Sequence, residues 1–239
     1  AAPTTGAPTG DVALQKLLFE AAHNGKRVPA VGQASKTGWF YVLDRITGQL
    51  LFKSEPFVPH SNIFKRPTAQ GIDIAPGAAG GASWSPVSLD ARNDIAYIAG
   101  LHMPTRYTVK DLPAHEGKPA LSYTTLEPVS GPTWGTLSAL DLRNQGKIKW
   151  QVKTDQPLVG GVLATAGDLL FVGEGDGNFN ALDARSGARL WQFNCGAGVN
   201  APPVSYEIDG EQYVVVAAGG SQIFGYRQGE SVIAFGLPR

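Results

Sequence analysis

Residues 181–191 read Ala-Leu-Asp-Ala-Arg-Ser-Gly-Ala-Arg-Leu-Trp, and this eleven-residue unit decides the fold because its plan occurs twice more in the chain. Residues 42–52 read Val-Leu-Asp-Arg-Ile-Thr-Gly-Gln-Leu-Leu-Phe, and residues 139–150 read Ala-Leu-Asp-Leu-Arg-Asn-Gln-Gly-Lys-Ile-Lys-Trp. In each unit an apolar strand ends at an Asp, a short turn with a Gly follows, and a second strand ends in a large aromatic residue. A unit that recurs along a chain predicts a repeat architecture.

The unit has a physical interpretation as a tight hairpin. Its Asp can accept backbone N–H groups inside the turn, and its Gly supplies a positive φ. The closing Phe52, Trp150 and Trp191 each carry a large flat surface that one hairpin cannot cover. Each aromatic residue is therefore expected to pack against a neighbouring repeat. Three unrelated hairpins with aromatic cores are the alternative interpretation.

Two further strands flank each hairpin, and four consecutive antiparallel strands make one blade of a β-propeller. The best-defined blade has predicted strands at 163–165, 168–173, 178–183 and 189–193. The other predicted strands are 27–33, 40–44 and 49–52 in a partial first blade; 83–84, 95–99, 135–141 and 147–152 in a second blade with a long insertion at about 101–133; and a stretch from about 201, 212–218 and 231–235 in a last blade. The last blade lacks a closing strand, so an incomplete ring is predicted.

The predicted fold class is therefore all-β, a β-propeller of four-stranded antiparallel blades, about four in number. It occupies residues 11–239, behind a flexible Pro/Thr/Gly tail at residues 1–10. Charged residues make up only 17% of the chain, and its 30 Gly and 17 Pro favour turns over long amphipathic helices.

Composition also excludes several classes of partner. Twenty Lys and Arg balance twenty Asp and Glu, so no net field attracts nucleic acid, and no nucleic-acid partner is expected. The most apolar run, residues 213–220, has the length of a strand and is far shorter than the ~20 residues of a membrane helix. Cys195 is the single cysteine, which excludes an internal disulfide.

Other residues that could carry chemistry lack the spacing that the chemistry needs. The four histidines are His23, His60, His102 and His115. They lie far apart in predicted loops, so a zinc site is not expected. Residues 173–177 (Gly-Glu-Gly-Asp-Gly) lack the ligand pattern of a calcium loop and the helix of a phosphate loop, and they predict a hairpin turn. Cys195 is expected to be a small packed residue.

Several stretches together resemble the quinoprotein dehydrogenases, which are eight-bladed propellers that hold pyrroloquinoline quinone (PQQ) and a calcium ion on the propeller axis. Residues 181–191 match the tryptophan-docking motif of that family in full. Further similar stretches follow the family's order: 34–45, 81–86, 160–168 and 212–220. The likeness covers residues 11–239 and falls on the carboxy-terminal half of the catalytic domain. The end of the chain, at 225 and 233–235, resembles the glucose and polyol dehydrogenases more than the methanol branch.

The resemblance implies cofactor-binding residues one position at a time. Lys36 matches the Lys or Arg that approaches the quinone oxygens, where a cation would stabilise charge on the reduced cofactor; a solvated Lys before a turn is the alternative. Ser83 stands where relatives often have an Asn that bonds the cofactor, and Trp84 either lines the cofactor cavity or packs in the core. Val159 stands where some members carry a Trp, so Val159 and Gly160 are expected to offer only backbone contact.

The catalytic base and the calcium ligands depart from the family pattern. In the family the proton-abstracting Asp belongs to a Trp-Asp-x-Asp segment; Asp11 aligns with the second Asp, and Thr9 occupies the position of the base. Asp11 is therefore only a weak candidate for the catalytic base. The calcium ligands belong to the family's amino-terminal blades, so they are expected outside this chain and no metal site is predicted within it.

The resemblance implies a PQQ-dependent dehydrogenase that oxidises an alcohol, polyol or aldose. A base takes the hydroxyl proton while hydride passes to the quinone, and calcium polarises the quinone carbonyl. The implied partners are a small alcohol or sugar substrate and an electron acceptor, and periplasmic residence is implied by the family alone. The isolated chain is predicted to be inactive because the base and calcium ligands are missing.

Two alternatives concern the chain as a whole. A non-enzymatic propeller that serves as a scaffold for protein assembly shares the repeats but binds no quinone. An incomplete propeller also has two adhesive edges. We therefore expect either the missing amino-terminal half or a second copy to close the ring.

Overall fold

A computed structural model describes residues 16–114 and 119–236, which form strands and one short 3₁₀-helix. The strands are β1 (Leu17–His23), β2 (Lys26–Ala34), β3 (Phe40–Asp44), β4 (Leu50–Lys53), β5 (Ile72–Ile74), β6 (Ser88–Asp90), β7 (Ile95–His102), β8 (Thr105–Leu112), β9 (Leu121–Pro128), β10 (Trp134–Asp141), β11 (Lys147–Thr154), β12 (Val162–Ala164), β13 (Leu169–Gly173), β14 (Asn178–Asp183), β15 (Arg189–Asn194), β16 (Val204–Ile208), β17 (Glu211–Ala218) and β18 (Ser231–Gly236). The 3₁₀-helix (Leu142–Asn144) lies between β10 and β11. The predicted tail, Thr9, Asp11 and His115 lie outside the described residues.

The strands form four successive antiparallel sheets, which confirms the predicted propeller architecture. Blade 1 contains β1 to β4, blade 2 contains β6, β7, β10 and β11, blade 3 contains β12 to β15, and blade 4 contains β16 to β18. A fifth sheet, made of β5, β8 and β9, is built mainly by a hairpin that leaves blade 2 between its second and third strands. No helix in the described part of the chain is long and apolar enough to cross a membrane.

The structure corrects two details of the predicted blades. Blade 1 is not partial, because β1 pairs with β2 from Leu17 opposite Gly32 to His23 opposite Lys26. The prediction missed β1 because its apolar residues come in consecutive runs, at 17–19 and 21–22, and hide the two-residue period of a strand. The first strand of blade 2 is β6, and Ser83 and Trp84 belong to the link that precedes it.

The predicted turn chemistry is present in all three repeats. In blade 3, one oxygen of Asp183 accepts the N–H groups of Arg185 and Ser186 at 2.9 and 2.8 Å, and Gly187 has a φ of 74°. The hydrogen bond from the Ser186 hydroxyl first, and then these backbone hydrogen bonds, lower the pKa of Asp183. Asp44 and Asp141 make the same pair of backbone contacts.

Because successive strands run in opposite directions, the connections between them lie alternately at two opposite ends of the molecule. Turns between first and second strands, and between third and fourth strands, lie at one end, which we call the lower end. Connections between second and third strands, and the links between blades, lie at the opposite or upper end. This follows from strand direction alone.

Neighbouring blades pack face to face. We call the face of a blade that meets the preceding blade its front face, and the other its back face. The front row of blade 2 crosses the sheet at Leu89, Ala96, Leu140 and Ile148. This row packs in one cluster with the back face of blade 1, which contributes Val42 and Phe52. Equivalent clusters join blades 2 and 3 and blades 3 and 4.

Trp150 joins blades 2 and 3. Its indole N–H donates to the carbonyl of Ala184 at 3.1 Å, and its ring covers Gly187, where an added Cβ would lie 2.7 Å from the ring. Trp191, the equivalent residue of blade 3, remains 40% exposed although its ring lies 5.2 Å from that of Phe235.

Ion pairs bridge the blades at the lower end. Asp94, whose side chain is only 7% exposed, accepts from Arg27 of blade 1 and Arg143 of blade 2, each at 2.8 Å. Asp168 of blade 3 pairs in the same way with Arg92 of blade 2 and Arg185 of its own blade. These networks leave no local sequence pattern, because their members are 17 to 76 positions apart.

The Asp94 network gives a prediction for stability. Arg27 first, and then Arg143, hold the pKa of Asp94 below its usual value although partial burial opposes this. We expect Asp94→Asn to lower the free energy of unfolding by about 2 kcal/mol, because it removes hydrogen bonds between charged groups. Asn also tolerates the positive φ of 54° at this position. Urea denaturation at pH 7 measures the change.

Acid should remove the same stabilisation from the unaltered protein. A carboxyl whose pKa is lowered by folding stabilises the folded state fully when the pH is above its pKa in the unfolded chain, about 4. It loses this effect as the pH falls through its lower pKa in the folded protein. The difference between the unaltered protein and Asp94→Asn should therefore shrink below about pH 4. Asp73→Asn is the control, since its pair with Arg106 is about half exposed and worth about 0.5 kcal/mol. Equal losses in both variants would contradict the prediction.

Candidate functional site

Topology gathers the predicted cofactor residues at the upper end. Lys36 lies in the connection between β2 and β3, Ser83 and Trp84 in the link from blade 1 to blade 2, and Val159 and Gly160 in the link from blade 2 to blade 3. The β8–β9 hairpin also leaves from this end. Sequence positions up to 124 apart therefore meet at one end of the molecule.

Lys36 is held in a tight turn. The N–H of Gly38 donates to the carbonyl of Ser35 at 2.9 Å, and Gly38 has a φ of 78°. The hydroxyl of Ser35 accepts from the N–H of Thr37 and also bonds the Thr37 hydroxyl. Lys36 itself is half-buried, and no carboxylate of residues 16–114 or 119–236 lies within 4.0 Å of its ammonium. Its charge is therefore not neutralised by that part of the chain.

Gly81 brings the next link against this turn. A Cβ at Gly81 would lie 2.4 Å from the carbonyl oxygen of Lys36, so the two backbones are in direct contact. The N–H of Ala82 donates to the carbonyl of Ser35 at 3.0 Å. Gly81 also exchanges two 2.8 Å hydrogen bonds with Leu101 of blade 2. Only a residue without a side chain fits here, because Gly81 also has a φ of 68°.

Ser83 and Trp84 follow directly and differ in exposure. Ser83 is 4% exposed, and its hydroxyl makes no hydrogen bond within the described residues. Trp84 is 48% exposed, and its ring meets that of Phe224 edge to face at 5.9 Å. Trp84 was expected either to line the cofactor cavity or to pack in the core, and its exposed ring does not pack in the core.

Val159 and Gly160 present backbone. The Val159 side chain is 3% exposed and packs with Leu101 and Tyr226, so it offers no contact to a ligand. Its carbonyl accepts from the hydroxyl of Ser85 at 2.7 Å. An added Cβ at Gly160 would lie 3.1 Å from the carbonyls of residues 199 and 201. The link to blade 3 is thereby packed against the link to blade 4.

Two cavities are near these elements. A small one of about 40 Å³ is lined by Lys36, Thr37 and residues of the insertion that include Tyr107. A larger one of about 250 Å³ lies between blades 2 and 3 and includes Glu174 and Arg189 but none of the predicted site residues. Burial, and then Asp176, raise the pKa of Glu174. The structure therefore places Lys36 at the smaller of these two cavities and none of the predicted site residues at the larger one.

The other candidates take structural roles. Residues 173–177 form the predicted hairpin turn between β13 and β14. Cys195 packs partly against the cluster between blades 3 and 4, as expected. His23 and His102 end strands β1 and β7, so the prediction that they lie in loops is wrong, because both flank strand residues in continuous ladders. Within the described ranges, no three His, Cys, Asp or Glu residues are arranged to hold a metal ion.

Sequence reasoning missed residues that lie at this end. Phe224, which contacts Trp84, lies in a connection whose Gly and Ser residues predict only a loop. Asn200, beside Gly160, buries both polar atoms of its amide without a partner in the described part of the chain. Burial first, then Lys53 for His60 and Lys153 for His102, lower the pKa of both histidines and favour neutral rings. Contacts between distant parts of the chain identify Phe224 and Asn200, whereas His60 and His102 were already among the histidines considered from the sequence.

Comparison with known proteins gives a consistent result. The family model described as "PQQ: Glucose/ethanol/alcohol dehydrogenase, beta-propeller domain" matches residues 9–63 and 56–214. The chain is 33% identical over 228 residues to a quinoprotein ethanol dehydrogenase of Pseudomonas aeruginosa, covering 85% of this chain and 36% of that protein. It is 26% identical over 327 residues to the quinoprotein glucose dehydrogenase of Escherichia coli, covering 95% of this chain and 41% of that protein.

A solved structure extends the comparison to the fold. The quinohemoprotein alcohol dehydrogenase from Comamonas testosteroni superposes with a TM-score of 0.78 at 30% identity, over 92% of this chain and 37% of that one. The chain thus spans between about a third and two fifths of the proteins that it matches. Because the family model matches most of the sequence, the chain belongs to the quinoprotein alcohol and glucose dehydrogenase family and forms part of its β-propeller domain.

Proposed function

We propose that this chain supplies part of the PQQ site of a dehydrogenase that oxidises an alcohol, polyol or aldose. The observation that carries the proposal is Lys36, a half-buried amine without a described carboxylate partner, fixed against the backbone of Gly81. Its position at the upper end, beside Ser83 and Trp84, supports a role toward a ligand rather than in packing. The proposed substrate is a small alcohol or sugar, and an electron acceptor is the proposed redox partner.

The residues present fit the chemistry of PQQ, which is planar and carries carboxylates and quinone oxygens. A cation, a hydroxyl donor and a flat surface are the complementary groups. Lys36 provides the cation, Ser83 a hydroxyl that no described group occupies, and Trp84 an exposed ring. Val159 and Gly160 provide backbone only, because the Val159 side chain is buried.

PQQ, when bound, supplies a quinone that accepts hydride from the substrate carbon. The Lys36 ammonium would stabilise negative charge that develops on the quinone oxygens during that transfer. The Ser83 hydroxyl would donate one hydrogen bond and orient the ring system, with less reach than an amide. Trp84 and Phe224 would exclude water on one side. These roles bind, orient and stabilise, and none of them removes the substrate proton.

The proton acceptor and the calcium ligands are proposed to lie outside the described residues. Asp11 remains a candidate base there, with Thr9 at the family's base position. No cluster of His, Cys, Asp and Glu in residues 16–114 and 119–236 suits calcium. We therefore propose that the isolated chain does not turn over, and that activity needs the ring to be completed by an amino-terminal half or by a second copy. Periplasmic residence is proposed on the same family basis.

Binding of PQQ distinguishes the proposed role in a dehydrogenase from that of a non-enzymatic scaffold. Equilibrium dialysis of the purified chain with PQQ and calcium should detect binding, and Lys36→Ala should weaken it about 10-fold or more, because one charge-assisted hydrogen bond is lost. Lys149→Ala, on the exposed strand β11, is the matched control and should bind normally. Circular dichroism should show intact folding in both variants.

Three outcomes contradict the proposal. Absence of PQQ binding, or equal binding by the unaltered chain and Lys36→Ala, favours the scaffold. Alcohol-dependent dye reduction by the isolated chain would disprove the claim that it does not turn over.

A further prediction concerns the contact between Gly81 and Lys36. Gly81→Ala should displace the Lys36 turn, since its Cβ would meet the carbonyls of residues 35 and 36 at about 2.5 Å. We expect a loss of about 1–3 kcal/mol in the free energy of unfolding together with weaker PQQ binding. Gly25→Ala is the control, because Gly25 also has a positive φ but no atom lies within 4 Å of its added Cβ. Equal effects of the two substitutions on PQQ binding would refute this role of Gly81.

A further inference from the structure

The larger cavity, of about 250 Å³, is lined only by residues of blades 2 and 3 and of the link between them. One of its sides is the back face of blade 2, and the other is the front face of blade 3. Both blades contribute to its apolar wall, which consists of Leu137, Val152, Val172 and Leu182. Its volume is that of about eight waters at about 30 Å³ each, so it suits a small organic molecule.

A chain of hydrogen bonds holds the Glu174 carboxylate at this cavity. The side-chain amide of Gln192 donates to the side-chain oxygen of Asn180 at 2.9 Å, and the amide nitrogen of Asn180 donates to one oxygen of Glu174 at 2.8 Å. Asn180 is only 1% exposed, and Glu174 is half-buried. The second oxygen of Glu174 makes no hydrogen bond within the described residues, so it can accept one from a ligand.

The same place between blades 1 and 2 contains no carboxylate. Strand register makes Gly100 of blade 2 the counterpart of Glu174. An added Cβ at Gly100 would lie 3.1 Å from the ring of Phe57, so that ring fills the place that Glu174 has in blade 3. Gln151, the counterpart of Gln192, also donates to the carbonyl of Phe57 at 3.1 Å. Packing between two blades therefore does not require a carboxylate at this position.

The charged side chains around the cavity are not paired with one another. Lys153, Asp155, Glu174 and Arg189 line it, and none of them forms an ion pair within 4.0 Å in the described ranges. Lys153 instead lies over the ring of Trp134 at 4.4 Å. Burial is the main cause that raises the pKa of Glu174, and Arg189 opposes it from a distance. A half-buried carboxylate without a cation is unfavourable, so a ligand that brings a cation would stabilise it.

We propose that this cavity binds a small zwitterion, namely an α-amino acid with an aliphatic side chain. Its ammonium group would donate to Glu174 and Asp155, its carboxylate would accept from Arg189, and its side chain would contact the apolar wall. Two cations and two carboxylates line the cavity, so a ligand that carries both charges complements it better than an ion of one sign. The inference needs no PQQ, so its failure leaves the proposed function untouched.

Isothermal titration calorimetry of the full chain with L-leucine tests the inference. We expect leucine to bind, whereas 3-methylbutylamine, which lacks its carboxylate, and 4-methylpentanoate, which lacks its ammonium group, should bind about 10-fold or more weakly. Glycerol is the uncharged control and should not compete with leucine. Absence of leucine binding, or binding of any of the other three compounds as tightly as leucine, would overturn the proposal.

Two substitutions assign the charges to their residues. Glu174→Gln should weaken leucine binding about 10-fold or more without weakening that of 4-methylpentanoate, and Arg189→Gln should do the same without weakening that of 3-methylbutylamine. Glu207→Gln and Arg45→Gln, at exposed positions of blades 4 and 1, are the matched controls and should bind leucine normally. Circular dichroism checks that all four variants are folded. Leucine binding that either Glu174→Gln or Arg189→Gln leaves at full strength would refute the proposed site.

Discussion

Both faces of every four-stranded sheet in this protein are apolar, and a sheet cannot shield both of them alone. Each blade therefore depends on its neighbours for the burial that stabilises it. Val42 and Phe52 of blade 1 are covered by blade 2, and Tyr97 and Trp150 of blade 2 are covered by blade 3. The packing of successive blades in one continuous series follows from this requirement.

The two ends of the molecule differ in the contacts that join the blades. At the lower end, Asp side chains close the hairpin turns, and the networks centred on Asp94 and Asp168 join blade 1 to blade 2 and blade 2 to blade 3. The upper end is joined mainly by close backbone contacts, such as that between Gly81 and Lys36, and leaves side chains such as Trp84 exposed. Loop residues at such an end can be substituted without disturbing the contacts between blades, which leaves them available for binding a ligand.

The charges at the upper end support the proposal that it binds an anionic, planar ligand. Burial favours neutral rings for His60 and His102, and it raises the pKa of Tyr226 to about 12, so none of these adds charge near neutral pH. Lys36 has no described carboxylate partner within ion-pair distance. The larger cavity, which includes Glu174 and Arg189, lies between blades 2 and 3 and serves no predicted site residue.

The sequence by itself determined the blades, because the Asp, Gly and aromatic positions of residues 42–52, 139–150 and 181–191 set local hairpins that need no distant partner. It also pointed to the Lys36 turn and the link with Ser83 and Trp84, through resemblance. It missed β1, whose consecutive apolar residues hide the two-residue period of a strand. Only the tertiary structure decided that Val159 is buried, that Phe224 meets Trp84 and that Asp94 joins two blades, because these contacts form between strands far apart in sequence once the blades pack.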